Sequence, residues 1–146
     1  SDLLAMQHGP HVDYIRILQS IRPVRFVIRP GSRRPIHLPA AGKALLAQQD
    51  DAAVAALLRR INAARGAAPA VPVRPFLEEM AAIRAQGFAR SENAIVPDTA
   101  MLAMALPVAP GHRPLAIAVS GPLARMRKEA RSIVKLMRAK LAPSRM

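Results

Sequence analysis

Two periodicities alternate along this chain in an order that excludes most folds. Extended, apolar-rich stretches come first, at residues 3–7, 12–18 and 24–28. Three stretches with helical spacing follow, at 40–48, 52–61 and 75–87. Extended stretches return at 88–93, 101–108 and 115–120, and a long amphipathic segment at 123–141 closes the pattern. A parallel, doubly wound sheet needs strands and helices in strict alternation, and this chain does not supply them. The order predicts an α+β fold, one largely antiparallel sheet with helices packed against it.

Local signals mark the joints. His8-Gly9-Pro10-His11 reads as a tight turn between the first two strands. In the second strand Val12, Tyr14 and Ile17 are joined by Ile15 and Leu18, an imperfect alternation that predicts burial on much of both faces. In the third, Val24, Phe26 and Ile28 point one way and Arg25 and Val27 the other. Asp50 or Asp51 is placed to cap the second helix, where Val54, Leu57, Leu58 and Ile61 form a stripe. Residues 62–74, rich in Ala, Gly and Pro, read as a loop. Pro75 is expected to start the third helix, Phe76, Leu77, Met80 and Ile83 to face inward, and Gly87 to end it. A loop around Pro97 spans 94–99, and the spacing of the last two strands favours antiparallel pairing. Gly121-Pro122 is expected to open the final helix. Its Leu123, Met126, Ala130, Ile133, Val134, Met137 and Leu141 share one face. The opposite face carries Arg125, Arg127, Lys128, Arg131, Lys135, Arg138 and Lys140, with Glu129 as its one counter-charge.

The most distinctive stretch is residues 29–47. It reads as a strand end, a turn, a short extended piece, and a helix beginning between Pro39 and Gly42. Proline suits a first helical turn, where its missing N–H is not needed. Ala40, Ala41 and Gly42 leave the helix mouth uncluttered. The first amides of a helix have no partner within it and sit at the positive end of its dipole, so a carboxylate docks there readily. The competing reading is a helix start buried against a sheet, with Gly42 present only for close packing.

Composition narrows the function. The 146 residues suffice for one domain with a real core, and with one Tyr and three Phe that core must be built from Ala, Leu, Ile, Val and Met. Cysteine is absent, which excludes disulfides, thiolate catalysis and Cys-ligated metals. No apolar run approaches the roughly 20 residues of a membrane helix, and the first residues, Ser1 to Met6, lack the basic start and long apolar stretch of a signal peptide, so a cytoplasmic protein with no membrane partner is expected. The net charge is +13, which favours polyanions. Aromatic side chains for stacking on bases are scarce, however, and Arg-rich, Ala- and Pro-rich sequence also follows from a GC-rich genome. His8, His11, His37 and His112 form no ligand spacing, so no metal is expected. No nucleophile elbow surrounds Ser32 or Ser120, and Gly42-Lys43 is followed by Ala44 rather than completing a phosphate loop. Neither catalysis nor a cofactor is expected.

Four segments in register resemble one family. GSRRPIHLPAAGKALLA at 31–47 is similar to the signature of the IclR family of bacterial transcriptional regulators. Residues 79–89 resemble the family's helix that ends in Arg-x-x-Gly-Tyr, 102–108 its penultimate strand, and 116–122 its Ser-Gly-Pro strand end. The resemblance runs from about Leu3 to Leu141. It implies the C-terminal effector-binding domain, with a GAF-like α+β fold, as a single domain over 1–146. It also implies a fragment of a longer regulator, dimers or tetramers, and DNA contact only through a separate N-terminal winged helix-turn-helix that this chain does not contain.

The resemblance also assigns a pocket. Its floor is the helix mouth, Ala40, Ala41 and Gly42. Its walls include Phe26 and Ile28 on the third strand and Arg34 before the helix. Its far side is Ser91, Thr99 and Met101, then Ala118 and Ser120. In relatives that sense small polar acids an acidic residue stands at the place of Ser91 and a hydroxyl at that of Ala118. Their replacement here, with Met101 and Met104 nearby, implies a larger or more apolar organic acid, aromatic acids included, its carboxylate on the helix amides and Ser120. Arg34 is either a charge-assisted partner or a solvated turn residue, and the methionines either line the pocket or fill the core. A small-acid enzyme and a basic nucleic-acid-binding module are the alternatives.

Overall fold

The computed structural model describes residues 2–18, 32–107 and 109–141. Six strands form a single antiparallel sheet in the order β3-β2-β1-β6-β5-β4. They are β1 (Asp2–His8), β2 (His11–Leu18), β3 (Arg33–Pro35), β4 (Ala89–Glu92), β5 (Thr99–Ala105) and β6 (Leu115–Pro122). The helices are α1 (Ala40–Leu46), α2 (Asp51–Ala64), α3 (Val73–Gln86) and α4 (Leu123–Leu141). This is the expected α+β architecture. The expected strand at 24–28 lies outside the described residues, whereas the short extended piece before α1 is β3.

The two sheet faces bury different partners. On the inner face Leu3, Ala5, Val12, Tyr14, Ala89, Met101, Ala103, Ala116 and Ala118 join one core with α1, α2 and α3. Five of those nine are alanine. So small a floor lets α1 lie close, and its own Ala40, Ala41 and Ala44 face it. On the outer face Ala100, Leu102 and Met104 of β5 pack with Met126, Val134 and Met137 of α4. Helix α4 contacts β5 and β6, leaving the outer side of β2 uncovered there. Hence Ile15 is 42% exposed while Val12 and Tyr14 are fully buried, so at Ile15 the strand is not buried on both faces as its composition predicts.

The joints follow the sequence with small shifts. Gly9, at φ +57°, makes the β1–β2 turn. Asp50 caps α2 by accepting the Ala53 amide at 2.8 Å. That helix runs three residues beyond its expected end at Ile61. Asn62 in its last turn holds Val71 through both side-chain groups, at 3.0 and 2.7 Å, and so closes the following loop. Pro72 is the N-cap of α3, so Pro75 sits inside the first turn rather than starting it. Gly87 ends α3 in the left-handed region, φ +85°. Gly121 and Pro122 belong to β6, and α4 begins immediately after them.

Candidate functional site

Helix α1 owes its position to one close approach. A Cβ on Gly42 would lie 2.0 Å from the Ile36 carbonyl oxygen, so only glycine fits there. The close-packing reading of Gly42 is therefore realised. Pro39 is the N-cap, and Ala40, Ala41 and Gly42 are all buried. The expectation that the first amides of α1 are free for a carboxylate is met differently at Ala40. The Ala40 amide donates to Ser91 Oγ at 2.8 Å, so the protein's own hydroxyl already satisfies the first orphan donor. Lys43 Nζ pairs with Glu79 at 2.7 Å, tying α1 to α3.

A hollow lies beside that hydroxyl. Its volume is about 270 Å³ including the part open to solvent, and its enclosed part has room for about one water. Ser91, Thr99, Met101 and Ser120 line it with the 94–96 stretch. Strand register explains the meeting: Met101 of β5 stands opposite Ser91 of β4 on one side and Ser120 of β6 on the other. The 94–98 loop is held by its own bonds. Asn93 Oδ1 accepts the Asp98 amide at 2.7 Å, and Thr99 Oγ1 donates to the Val96 carbonyl at 2.6 Å. Asn93 and Asp98 both adopt positive φ, +57° and +60°. A wider cleft on the other side of Ser91 is bounded by Leu38, Lys43, Arg90 and Glu92.

The sequence-assigned residues thus divide into groups. Ser91, Thr99, Met101 and Ser120 converge on the hollow. Ala40 reaches it only through Ser91, while Ala41, Gly42 and Ala118 are buried in the packing and do not line it. Arg34 sits on β3, opposite Val12. It is half-buried rather than a solvated turn residue, and its Nε is buried without a partner. Phe26 and Ile28 lie outside the described residues. Met104 packs on the outer face with α4, so of the methionine pair only Met101 faces the hollow.

Tyr14 belongs with this group and was not among the residues assigned from sequence. Its hydroxyl reaches the Met101 sulfur, 3.9 Å away, a weak acceptor and its one partner among the described residues. Burial pushes the phenol well above its ordinary pKa, and the positive charge of Arg34 opposes that rise. The signal was present: this is the chain's one tyrosine, at an inward position of β2. His37, 5% exposed, lies just before α1. Burial, then the charges of Arg65 and Lys43, lower its pKa, and its Nδ1 has no partner.

The cationic face of α4 is partly structural. Arg127 makes two 2.9 Å bonds to Glu92 on β4, Arg125 pairs with Glu129, and Arg138 donates to the Gln86 carbonyl while stacking 5.7 Å from the Phe88 ring centroid. The Arg127 bonds, then those from Arg90, take the Glu92 carboxyl down to about 2. Among the described residues there is no group of His, Cys, Asp or Glu able to hold a metal ion, and no helix long and apolar enough to cross a membrane.

The antiparallel six-stranded sheet, with α1 to α3 on one face and α4 on the other, is a fold shared with solved structures. It superposes with TM-score 0.84 on the structure described as the effector domain of the transcriptional regulator IclR from Acinetobacter sp. ADP1, at 21% identity, covering 99% of this chain and 86% of that one. The Agobacterium tumefaciens repressor BlcR matches with TM-score 0.70 at 22% identity, over 99% of this chain and 60% of that one. The sequence model for the bacterial transcriptional regulator IclR C-terminal domain matches residues 3–143, and the chain belongs to that family. It is also 35% identical over 129 residues to the Probable transcriptional regulator SauR of Cupriavidus necator, which covers 84% of this chain. The chain spans about half (49%) of that relative's length. These relatives are transcriptional regulators, and none of these matches indicates an enzyme family.

Proposed function

We propose that this domain is the ligand-sensing part of a transcriptional regulator. It binds a small, rather apolar organic acid in the hollow beside Ser91 and thereby modulates DNA binding by a separate N-terminal domain. The observation that carries the reading is the Ala40 amide bonded to Ser91 Oγ at the edge of a hollow that Thr99 and Ser120 also line. A hydroxyl that accepts from a helix amide keeps its own proton, and that bond makes it a better donor. Ser91 thus passes the polarity of the α1 mouth into the hollow, where a carboxylate, which only accepts, completes the chain. Met101 supplies a soft apolar wall for the acid's body. In an assembly of two or four such domains, the acid would favour one subunit arrangement by its difference in affinity for the two.

The test is a thermal-shift screen of aliphatic and aromatic carboxylates, each beside its neutral amide. An acid at a hundred times its Kd adds about 2.7 kcal/mol to native stability, roughly 5–10 °C for a domain of this size. Carboxylates should raise the melting temperature, their amides should not, and Ser91→Ala should weaken the effect relative to its own unliganded baseline. Shifts given by neutral or cationic compounds but by no acid would overturn the proposal.

A further inference from the structure

Helix α4 carries a row of cations that the protein does not neutralise. At about 100° per residue, Lys128, Arg131 and Lys135 fall within an arc of about 60°, on the side opposite the buried Met126, Val134 and Met137. All three are exposed, and among the described residues none lies within ion-pair distance of a carboxylate. The acids nearest in the fold are committed elsewhere, Glu129 to Arg125 and Glu92 to Arg127 and Arg90. Arg138 lies beside the row and donates to the Gln86 carbonyl, which leaves its charge uncancelled. The other exposed positions on that side, Ala124, Ser132 and Ala139, are small and uncharged, so nothing holds a partner off the cations. Like charges gathered on one side set up a positive potential that attracts a polyanion.

We infer that this row is a docking surface for the phosphate backbone of duplex DNA. At a rise of about 1.5 Å per residue, Lys128 to Lys135 spans about 10.5 Å, the axial length of about three nucleotides of one strand. A phosphate needs only a cation and close approach, and the row supplies both. A folded acidic protein needs an apolar centre as well. Leu136, 57% exposed and to one side of the row, is the single large apolar side chain that α4 exposes. A single strand needs aromatic platforms for its bases, and α4 contains no aromatic residue. The inference rests on membership of a family of transcriptional regulators, which puts duplex DNA at hand, and not on the identity of the effector. It extends DNA contact beyond the N-terminal domain to which the resemblance confines it. The contact reads no sequence; it adds a salt-dependent hold on DNA to which the regulator is already tethered, where high effective concentration makes a weak contact count.

The experiment is an anisotropy titration of a labelled duplex of arbitrary sequence, about 30 base pairs long, across salt from about 20 to 200 mM. Three chains are compared: wild type, the triple variant Lys128→Gln/Arg131→Gln/Lys135→Gln, and a control, Arg59→Gln/Arg60→Gln/Arg74→Gln, which removes the same charge from exposed positions of α2 and α3. Four phosphate contacts, Arg138 included, give the wild type a slope of log K against log salt of about −3.6. The α4 variant should keep a slope of about −0.9 and bind roughly tenfold more weakly or worse at the lowest salt, while the control keeps the wild-type slope. Both variants should retain the wild-type melting temperature and any shift given by an acid, because the row lies across the sheet from the Ser91 hollow. A wild-type chain that does not bind duplex at the lowest salt would overturn the inference. So would a control that loses as much as the α4 variant, since binding would then follow net charge alone. Polyglutamate bound by the wild type as tightly as duplex would assign the row to an acidic protein instead. Each of these results leaves acid sensing untouched.

Discussion

Replacing Gly42 by alanine separates two effects that act in opposite directions. In an ordinary helix interior the change stabilises by roughly 1 kcal/mol, because glycine is the poorer helix former. Here the added methyl would sit 2.0 Å from the Ile36 carbonyl oxygen and 2.8 Å from its carbon. An ordinary C···O contact is about 3.3 Å, so α1 must retreat from the Ile36 backbone by about 1.3 Å. No rotamer relieves a clash with backbone. The retreat lifts Ala40, Ala41 and Ala44 off the alanine floor and stretches the 2.8 Å bond from Ala40 to Ser91. Overpacking costs of about 1–3 kcal/mol, with a weakened buried hydrogen bond added, outweigh the propensity gain and leave about 2–3 kcal/mol of net destabilisation. Urea unfolding of Gly42→Ala beside wild type measures this directly, and a drop in melting temperature of roughly 4–10 °C should accompany it. Gly66→Ala is the control: its φ of +62° is unfavourable but its surroundings are open, so backbone conformation alone should cost about 1 kcal/mol. A Gly42→Ala chain as stable as wild type would refute the packing argument and the placement of α1.

Two further outcomes are expected. Because burial lowers the His37 pKa, the unfolded chain takes up that proton first as pH falls, so stability declines from about pH 7 downward through the folded value, at no more than about 1.4 kcal/mol per pH unit. Denaturant midpoints between pH 7.5 and 5.5 should show this slope, and His37→Gln should flatten it; a variant with the wild-type slope would exclude His37 as the source. Asn62→Ala removes both bonds to Val71 and should cost about 1–2 kcal/mol, with faster proteolysis between Arg65 and Arg74; unchanged unfolding and cleavage would show that the loop closes without them.

The fold was legible wherever a residue type has one physical use. Gly9 and Gly87 marked a turn and a helix end, the Asp50-Asp51 pair a cap, and the stripe from Leu123 to Leu141 a helix lying on a sheet. The limits of elements were less legible, since proline is tolerated anywhere in a first turn and Pro75 gave no means of choosing it over Pro72. The exposure of Ile15 could not be read from β2 alone, because it depends on how far α4 reaches across the sheet. At the site, the convergence of Ser91, Thr99, Met101 and Ser120 followed from matching the family's pocket, whereas the occupied Ala40 amide did not. That bond joins residues 51 positions apart, and no local pattern announces it. Tyr14 escaped notice because an aromatic residue in a strand ordinarily signals packing.

Tyr14 has one more consequence. The chain contains no tryptophan and a single tyrosine, so its tyrosine absorption band and tyrosine emission arise from one buried ring whose hydroxyl reaches Met101. The protein therefore carries an unlabelled optical reporter one contact away from the hollow, and an acid bound there as proposed is expected to register as a change in the tyrosine signal.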